Sequence, residues 1–150
     1  MPIGYDARLP LQYNTVDGFY SLCKTINQNV KQQFRMLLLT APGERVMLPD
    51  YGVGLRNYLF ENDPESEVSH RIRKQVGIWL PNISIVTLQV KRGHDASNKF
   101  GQQNTLYVRV EYLISGWDII DTYDLLVTDT FSIFEKRINN GREKTRNRLH

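Results

Sequence analysis

The apolar residues of this chain change their spacing at Pro81, and that change constrains the fold more than any other feature. Before it, Val16, Phe19, Tyr20, Cys23, Ile26, Val30, Phe34, Leu37 and Leu38 recur every three or four positions, as do Val68, Ile72, Val76 and Trp79. That spacing lines one face of a helix. Beyond it, Val86, Leu88 and Val90 alternate with Thr87, Gln89 and Lys91, and Leu106, Val108, Val110 and Tyr112 alternate with Tyr107, Arg109 and Glu111. Period two is the mark of strands with one buried face. A third strand is expected from Ile119 to Val127, joined to the second through Ser115-Gly116-Trp117-Asp118, a hairpin turn with a central glycine. Helices followed by adjacent strands give an α+β fold, two N-terminal helices packed on a small three-stranded antiparallel sheet.

The element ends carry their own signals. Asn14 or Thr15 can cap the first helix, whose opposite face holds Lys24, Asn27, Gln28, Lys31, Gln32 and Arg35. Asp63 is placed to cap the second, with Pro64 at its first position and Glu65 and Glu67 at the positive end of the dipole; Pro81 ends it. Gly93 to Asn104 reads as a polar hairpin tip. Thr128 or Asp129 can start a short C-terminal helix carrying Phe131, Phe134 and Ile138, which Asn139-Asn140-Gly141 breaks. The domain expectation is an arm at 1–14, where Leu9-Pro10-Leu11 and Tyr13 lack periodicity, one α+β domain at 15–138, and a tail at 139–150.

With 150 residues, 41% hydrophobic and 23% charged, the chain can bury a core without staples. Cys23 is the single cysteine, so no disulfide framework exists within the chain and a buried thiol in a reducing compartment is expected. The first residues lack the basic start and apolar run of a secretory signal, and no run approaches the roughly 20 apolar residues of a membrane span. Charge is uneven. Lys136 to His150 holds six basic residues against Glu143, a net of +5; as the whole chain carries +3, the remainder carries −2. That tail can solubilise, bind nucleic acid or anchor on an acidic neighbour. Without interleaved aromatics the neighbour ranks first and nucleic acid last.

Catalytic and metal patterns are missing. His70, His94 and His150 lie far apart and have no ligand at usual spacing, so no metal is expected. Gly52-Val53-Gly54 lacks the third glycine and the preceding strand of a dinucleotide site, and no serine has a nucleophile-elbow context. A glycosidase needs two carboxylates across the sugar bond. Asp121 and Asp124 read as surface groups, and Glu44 as the partner of Arg45 or Arg56 in a structural ion pair.

The segment between the helical stretches, Pro42 to Phe60, cannot be one long helix, because Pro42-Gly43 is a turn signal and Gly52 and Gly54 admit unusual backbone angles. Arg45, Val46 and Met47 are expected to form a short extended piece, and the apolar content implies packing onto a core. Its order, Pro-Gly-Glu-Arg after a helix, then Pro-Asp-Tyr-Gly-Val-Gly-Leu and Leu-Phe-Glu, resembles the sheath-initiator family of contractile-tail baseplates. That family includes wedge subunits of contractile-tailed phages and the matching subunit of type VI secretion systems. Gly43, Glu44, Arg45, Asp50, Tyr51, Gly52, Gly54, Leu55, Leu59 and Phe60 carry the match, and the order of later elements agrees through about Val127.

The resemblance implies a non-catalytic structural subunit without cofactor, in a virion tail baseplate assembled in the host cytoplasm. Such a subunit would accept extended arms of the tail sheath by strand addition, and so start sheath polymerisation. Tyr107, Arg109 and Glu111, or Ile119, Asp121 and Tyr123, would set the register. Family members also dock on a helical bundle of wedge proteins through a Glu-Pro-Arg motif after the second helix. This chain has Leu80-Pro81-Asn82-Ile83 there, which keeps the proline and lacks both charges. Tube or hub proteins are further candidate neighbours. A phage-type lysozyme, the competing reading, places an Asp nine residues after its acidic Glu, and no Glu of this chain has one. A nucleic-acid adaptor acting through the tail is the third reading.

Overall fold

A computed structural model describes residues 4–92, 104–117, 119–128 and 133–135. The polar tip at 93–103, Asp118, the expected cap Asp129, Phe131, Ile138 and the whole basic tail lie outside the described residues.

The chain opens with a two-stranded ribbon rather than a long helix. Strand β1 (Asp6–Ala7) pairs antiparallel with β2 (Leu22–Cys23), and Tyr13 bridges Tyr20. The expected helix start at Asn14 or Thr15 is thus corrected to Ile26, where α1 (Ile26–Leu39) begins. Local chemistry explains the shift. Asn14 accepts from the Val16 N–H and donates to Asp17, closing a turn that Gly18 completes at φ 104. Thr25 then caps α1 by accepting from the Gln28 N–H. Val16 and Phe19, expected on the helix's buried stripe, are 81% and 79% exposed.

The polar side of α1 is also used internally. Gln32 accepts from the Leu9 N–H and donates to the Ala7 carbonyl, both at 2.8 Å, and so ties the N-terminal ribbon to the helix. Lys31 reaches Asp121 of the sheet at 2.8 Å, and Lys24 pairs with Asp17.

Helix α2 (Glu65–Trp79) follows the expected plan closely. The cap falls on Pro64, one residue later than the anticipated Asp63, and Asp63 takes a positive φ of 50. The strands β3 (Ile83–Arg92), β4 (Thr105–Ile114), β5 (Ile119–Thr128) and β6 (Ile133–Glu135) form an antiparallel sheet in sequence order. The three strands expected are present, and a fourth replaces part of the expected C-terminal helix. Ile133, Phe134 and Glu135 pair with Val127, Leu126 and Leu125 of β5. A three-residue strand has too few positions for its period to stand out against a helical one.

One face of the sheet is covered. Leu106, Val108, Val110 and Tyr112 of β4 and Leu125 and Val127 of β5 are fully buried, together with Phe34, Leu37 and Leu38 of α1 and Val68 and Ile72 of α2. Phe34 lies 4.9 Å from the Tyr112 ring and stacks at 6.0 Å on Tyr123. Tyr107, Arg109, Glu111 and Leu113 alternate with that set and remain half-exposed on the other face.

Candidate functional site

The connector from Pro42 to Phe60 packs down as its composition implies. Two elements hold it. Gln75, buried within the apolar stripe of α2, accepts from the Gly52 N–H at 3.1 Å and donates to the Asp50 carbonyl at 2.9 Å. From α1, the Leu37 carbonyl accepts from the Val53 N–H at 2.9 Å. Gly52 is required by contact as well as by angle. At φ 109 its missing Cβ would stand 2.2 Å from the Thr40 carbonyl oxygen. Gly54 then turns left-handed and starts a short 3-10 helix, Leu55–Tyr58, which buries Leu55 and Tyr58 with Leu59 beside it, whereas Phe60 is exposed.

The upstream half of the motif shapes a rigid tip. Glu44 accepts from the Ala41 N–H at 2.9 Å, and Gly43 donates to the Pro49 carbonyl at 2.8 Å. Of the two partners expected for Glu44, Arg45 or Arg56, Arg45 makes no ion pair with it; the Arg45 guanidinium lies 4.1 Å above the Tyr51 ring instead. Tyr51 in turn meets Trp79 edge-on at 5.3 Å. Burial raises the Tyr51 phenol above its usual range, with Arg45 opposing. Arg45, Val46 and Met47, expected to be extended, form turns that leave Val46 and Met47 93% and 87% exposed.

The residues expected to dock on wedge proteins follow directly. Pro81 and Asn82 are exposed at the end of α2, Leu80 is half-buried, and Ile83 belongs to the core. The Asn82 carbonyl accepts from the Ser115 N–H, which ties this turn to the β4–β5 hairpin.

The two trios expected to set strand register fall on opposite faces. Tyr107, Arg109 and Glu111 lie on the uncovered face of β4, whose backbone is fully paired between β3 and β5. On β5, Tyr123 is buried against Phe34, and Asp121 faces the helices, where Lys31 and Tyr112 reach it. Ile119 pairs with Ile114 at the hairpin end. The residue that joins the first trio is Asp124, directly across from Arg109. Its carboxylate accepts from Arg109 Nε at 2.8 Å, from Nη2 at 3.3 Å and from the Tyr107 hydroxyl at 3.0 Å. Asp124 is not the surface group expected, being 2% exposed. Burial, then the bond to Asp124, pushes the Tyr107 phenol up, and the carboxylate holds the Arg109 guanidinium charged.

The sheet edges differ. β6 pairs with only three residues of β5, so Ile120, Asp121 and Thr122 have no cross-strand partner on that side among the described residues. The β3 edge carries an irregularity between Ile85 and Thr87 that leaves Val86 half-exposed, and charged Lys91 and Arg92 at its end. Bulges and charges are how edge strands discourage pairing. No three His, Cys, Asp or Glu side chains converge as metal ligands, and no helix is long and apolar enough to cross a membrane, among the described residues.

Comparison with known families accounts for this plan. The sequence profile of the baseplate wedge protein gp25 family matches residues 24–117. The chain belongs to that family. The match takes in α1, the connector, α2, β3, β4 and the turn after β4, and begins just past the N-terminal ribbon. A comparison with curated proteins finds no match. Among solved structures, a Geobacter sulfurreducens protein called a tail lysozyme superposes with TM-score 0.58 at 19% identity, covering 72% of this chain and 95% of that one. A chain of the anti-feeding prophage baseplate superposes with TM-score 0.54 at 22% identity, covering 72% of this chain and 82% of that one. Both likenesses are likenesses of fold.

Proposed function

We propose that this baseplate wedge family member is a non-catalytic subunit that links the wedge to the tail sheath and initiates sheath polymerisation by accepting sheath arms as added strands. The observation that carries the reading is that Ile120 to Thr122 of β5, among the described residues, have no cross-strand partner on the side where β6 pairs. An incoming segment that continues the line of β6 would satisfy the backbone of Ile120 to Thr122, with main-chain hydrogen bonds supplying affinity. The β3 edge, with its bulge, is the poorer acceptor. Tyr107, Arg109 and Asp124 would serve the neighbouring face by holding β4 and β5 in one register. Pro81 and Asn82, exposed beyond α2, would meet the wedge bundle through an apolar and amide contact in place of the charged one. The setting would be a virion tail baseplate assembled in the host cytoplasm, with tube or hub proteins as further neighbours.

A peptidoglycan-degrading role has no comparable support. Asp121 and Asp124 are three positions apart on one strand and so face opposite sides of the sheet, where they cannot flank a single sugar bond.

The test mixes purified chain with purified sheath protein from the same particle and counts tubes by electron microscopy. Tubes should start at sites bearing this chain, and hydrogen exchange should slow at Ile120 to Thr122. Single prolines through that segment should include one that preserves the melting temperature and abolishes nucleation. Equal nucleation by every folded proline variant, or protection confined to β3, would overturn the reading.

A further inference from the structure

We infer that Asp121 is the specificity-determining residue of the open β5 edge: its carboxylate, held by Lys31 and Tyr112, caps the Thr122 N–H, so that only a strand able to displace it is accepted. The inference rests on the strand-acceptor reading above and concerns which partners that edge admits.

The direction of each backbone group along β5 follows from the turn at Asn82. The Asn82 carbonyl accepts from the Ser115 N–H at 2.9 Å, and these two residues bracket the pair Ile83 and Ile114. In an antiparallel ladder a pair bracketed in this way turns its own N–H and C=O groups away from each other. Ile114 therefore addresses β5, where it meets Ile119, and because the register of β4 with β5 is unbroken, the groups of Ile119, Asp121 and Tyr123 point back to β4. Those of Ile120 and Thr122 point outward, to the side where no strand stands against them among the described residues.

The outward donor of Thr122 is nonetheless occupied. Its N–H donates at 2.8 Å to Asp121 Oδ1. The other carboxylate oxygen, Oδ2, receives Lys31 Nζ of α1 at 2.8 Å and the Tyr112 hydroxyl at 3.4 Å, so the carboxylate is fixed from the helix side while it reaches the edge. A hydrogen bond to an ionised acceptor is stronger than one to a neutral carbonyl. An approaching strand thus finds the Ile120 N–H open among the described residues, and at Thr122 has to replace a charged oxygen with a carbonyl. A charge set beside an edge discourages stray pairing. A strand that makes enough further contacts offsets the exchange and is admitted, whereas an adventitious edge, that of a second copy included, is turned away.

The test measures amide hydrogen exchange residue by residue in the full chain, and tube nucleation with purified sheath protein, for wild type, Asp121→Val and Asp121→Asn. In the wild type Thr122 should exchange more slowly than Ile120. Asp121→Val should speed Thr122 about tenfold and leave Asp121-flanking Tyr123, whose N–H faces β4, unchanged; nucleation should rise by a similar factor. Asp121→Asn keeps an acceptor and should hold Thr122 slower than Asp121→Val does. If Asp121→Val does not fold, Lys31→Met with Asp121→Val removes the cation left without its partner and reads the same two quantities. Equal exchange of Ile120 and Thr122 in the wild type, or a folded valine variant that nucleates no better than wild type, would overturn the inference. A wild-type chain that starts no tubes, while Thr122 is protected and the valine variant releases it, would sink the sheath reading and leave the cap standing.

Discussion

Replacing Gln75 with alanine removes the acceptor for the Gly52 N–H and the donor to the Asp50 carbonyl in one step. Gly52 is buried and Gln75 is 7% exposed, so solvent cannot restore both bonds without opening the connector. A buried backbone group left unpaired costs about 1–3 kcal/mol, and with Asp50 nearer the surface the pair should cost about 2–4 kcal/mol. For a domain of this size that lowers the melting temperature by about 6–12 °C. Urea unfolding followed by far-ultraviolet circular dichroism should show a lower midpoint with unchanged slope. Gln75→Glu gives a second reading of the same geometry. The carboxylate still accepts from Gly52 but cannot donate to Asp50, so this variant should recover stability as pH falls and the carboxyl is protonated. A Gln75→Ala loss below about 0.5 kcal/mol, the range of ordinary surface changes, would refute the claim that this amide fastens the connector.

Gly52→Ala places a Cβ against the Thr40 carbonyl at a left-handed angle, and should fail to give a cooperative thermal transition or lose more than Gln75→Ala does. Arg109→Met strands the Asp124 carboxylate, whose side chain is 1% exposed, and should cost about 3–5 kcal/mol by urea unfolding, whereas Asp124→Asn should cost less. The Tyr107 phenol is raised above its ordinary value of 10.0, so the unfolded chain ionises first and stability should fall as pH rises through and above 10. Tyr107→Phe should flatten that alkaline limb. Met47→Ser should leave the isolated chain's stability within about 0.5 kcal/mol of wild type, because the side chain touches solvent.

The sequence was most legible where period and flanking chemistry agree. The stripe Val68, Ile72, Val76 and Trp79, bounded by two prolines, could form little else than α2, and the alternation in β4 placed its buried and open faces correctly. At the N-terminus the two signals conflicted. Val16, Phe19 and Tyr20 carry helical spacing, yet Asp17-Gly18 is a hairpin dipeptide and Asn14 closes a turn with its side chain, and the turn chemistry won. The C-terminal error has another cause, since pairing with β5 decides the backbone at 133–135 and no local propensity records a partner's position. Gln75 escaped notice because glutamine reads as polar surface. Its place between Ile72 and Val76 on the apolar stripe was the available clue, since a buried amide must find partners. Asp124 is similar, as its burial follows from Arg109 standing opposite, a matter of register that alternation alone does not reveal.

Both hydrogen bonds of the Gln75 amide join the connector to α2, and α2 runs through Pro81 directly into β3. A pull on the tip at Met47 is thereby carried into α2 by these two bonds together with the Tyr51–Trp79 contact, and passed along that helix to the sheet. In a contracting tail, such a rod carries load from the tip through α2, whose Val68, Ile72 and Val76 are part of the core, into the first strand of the sheet.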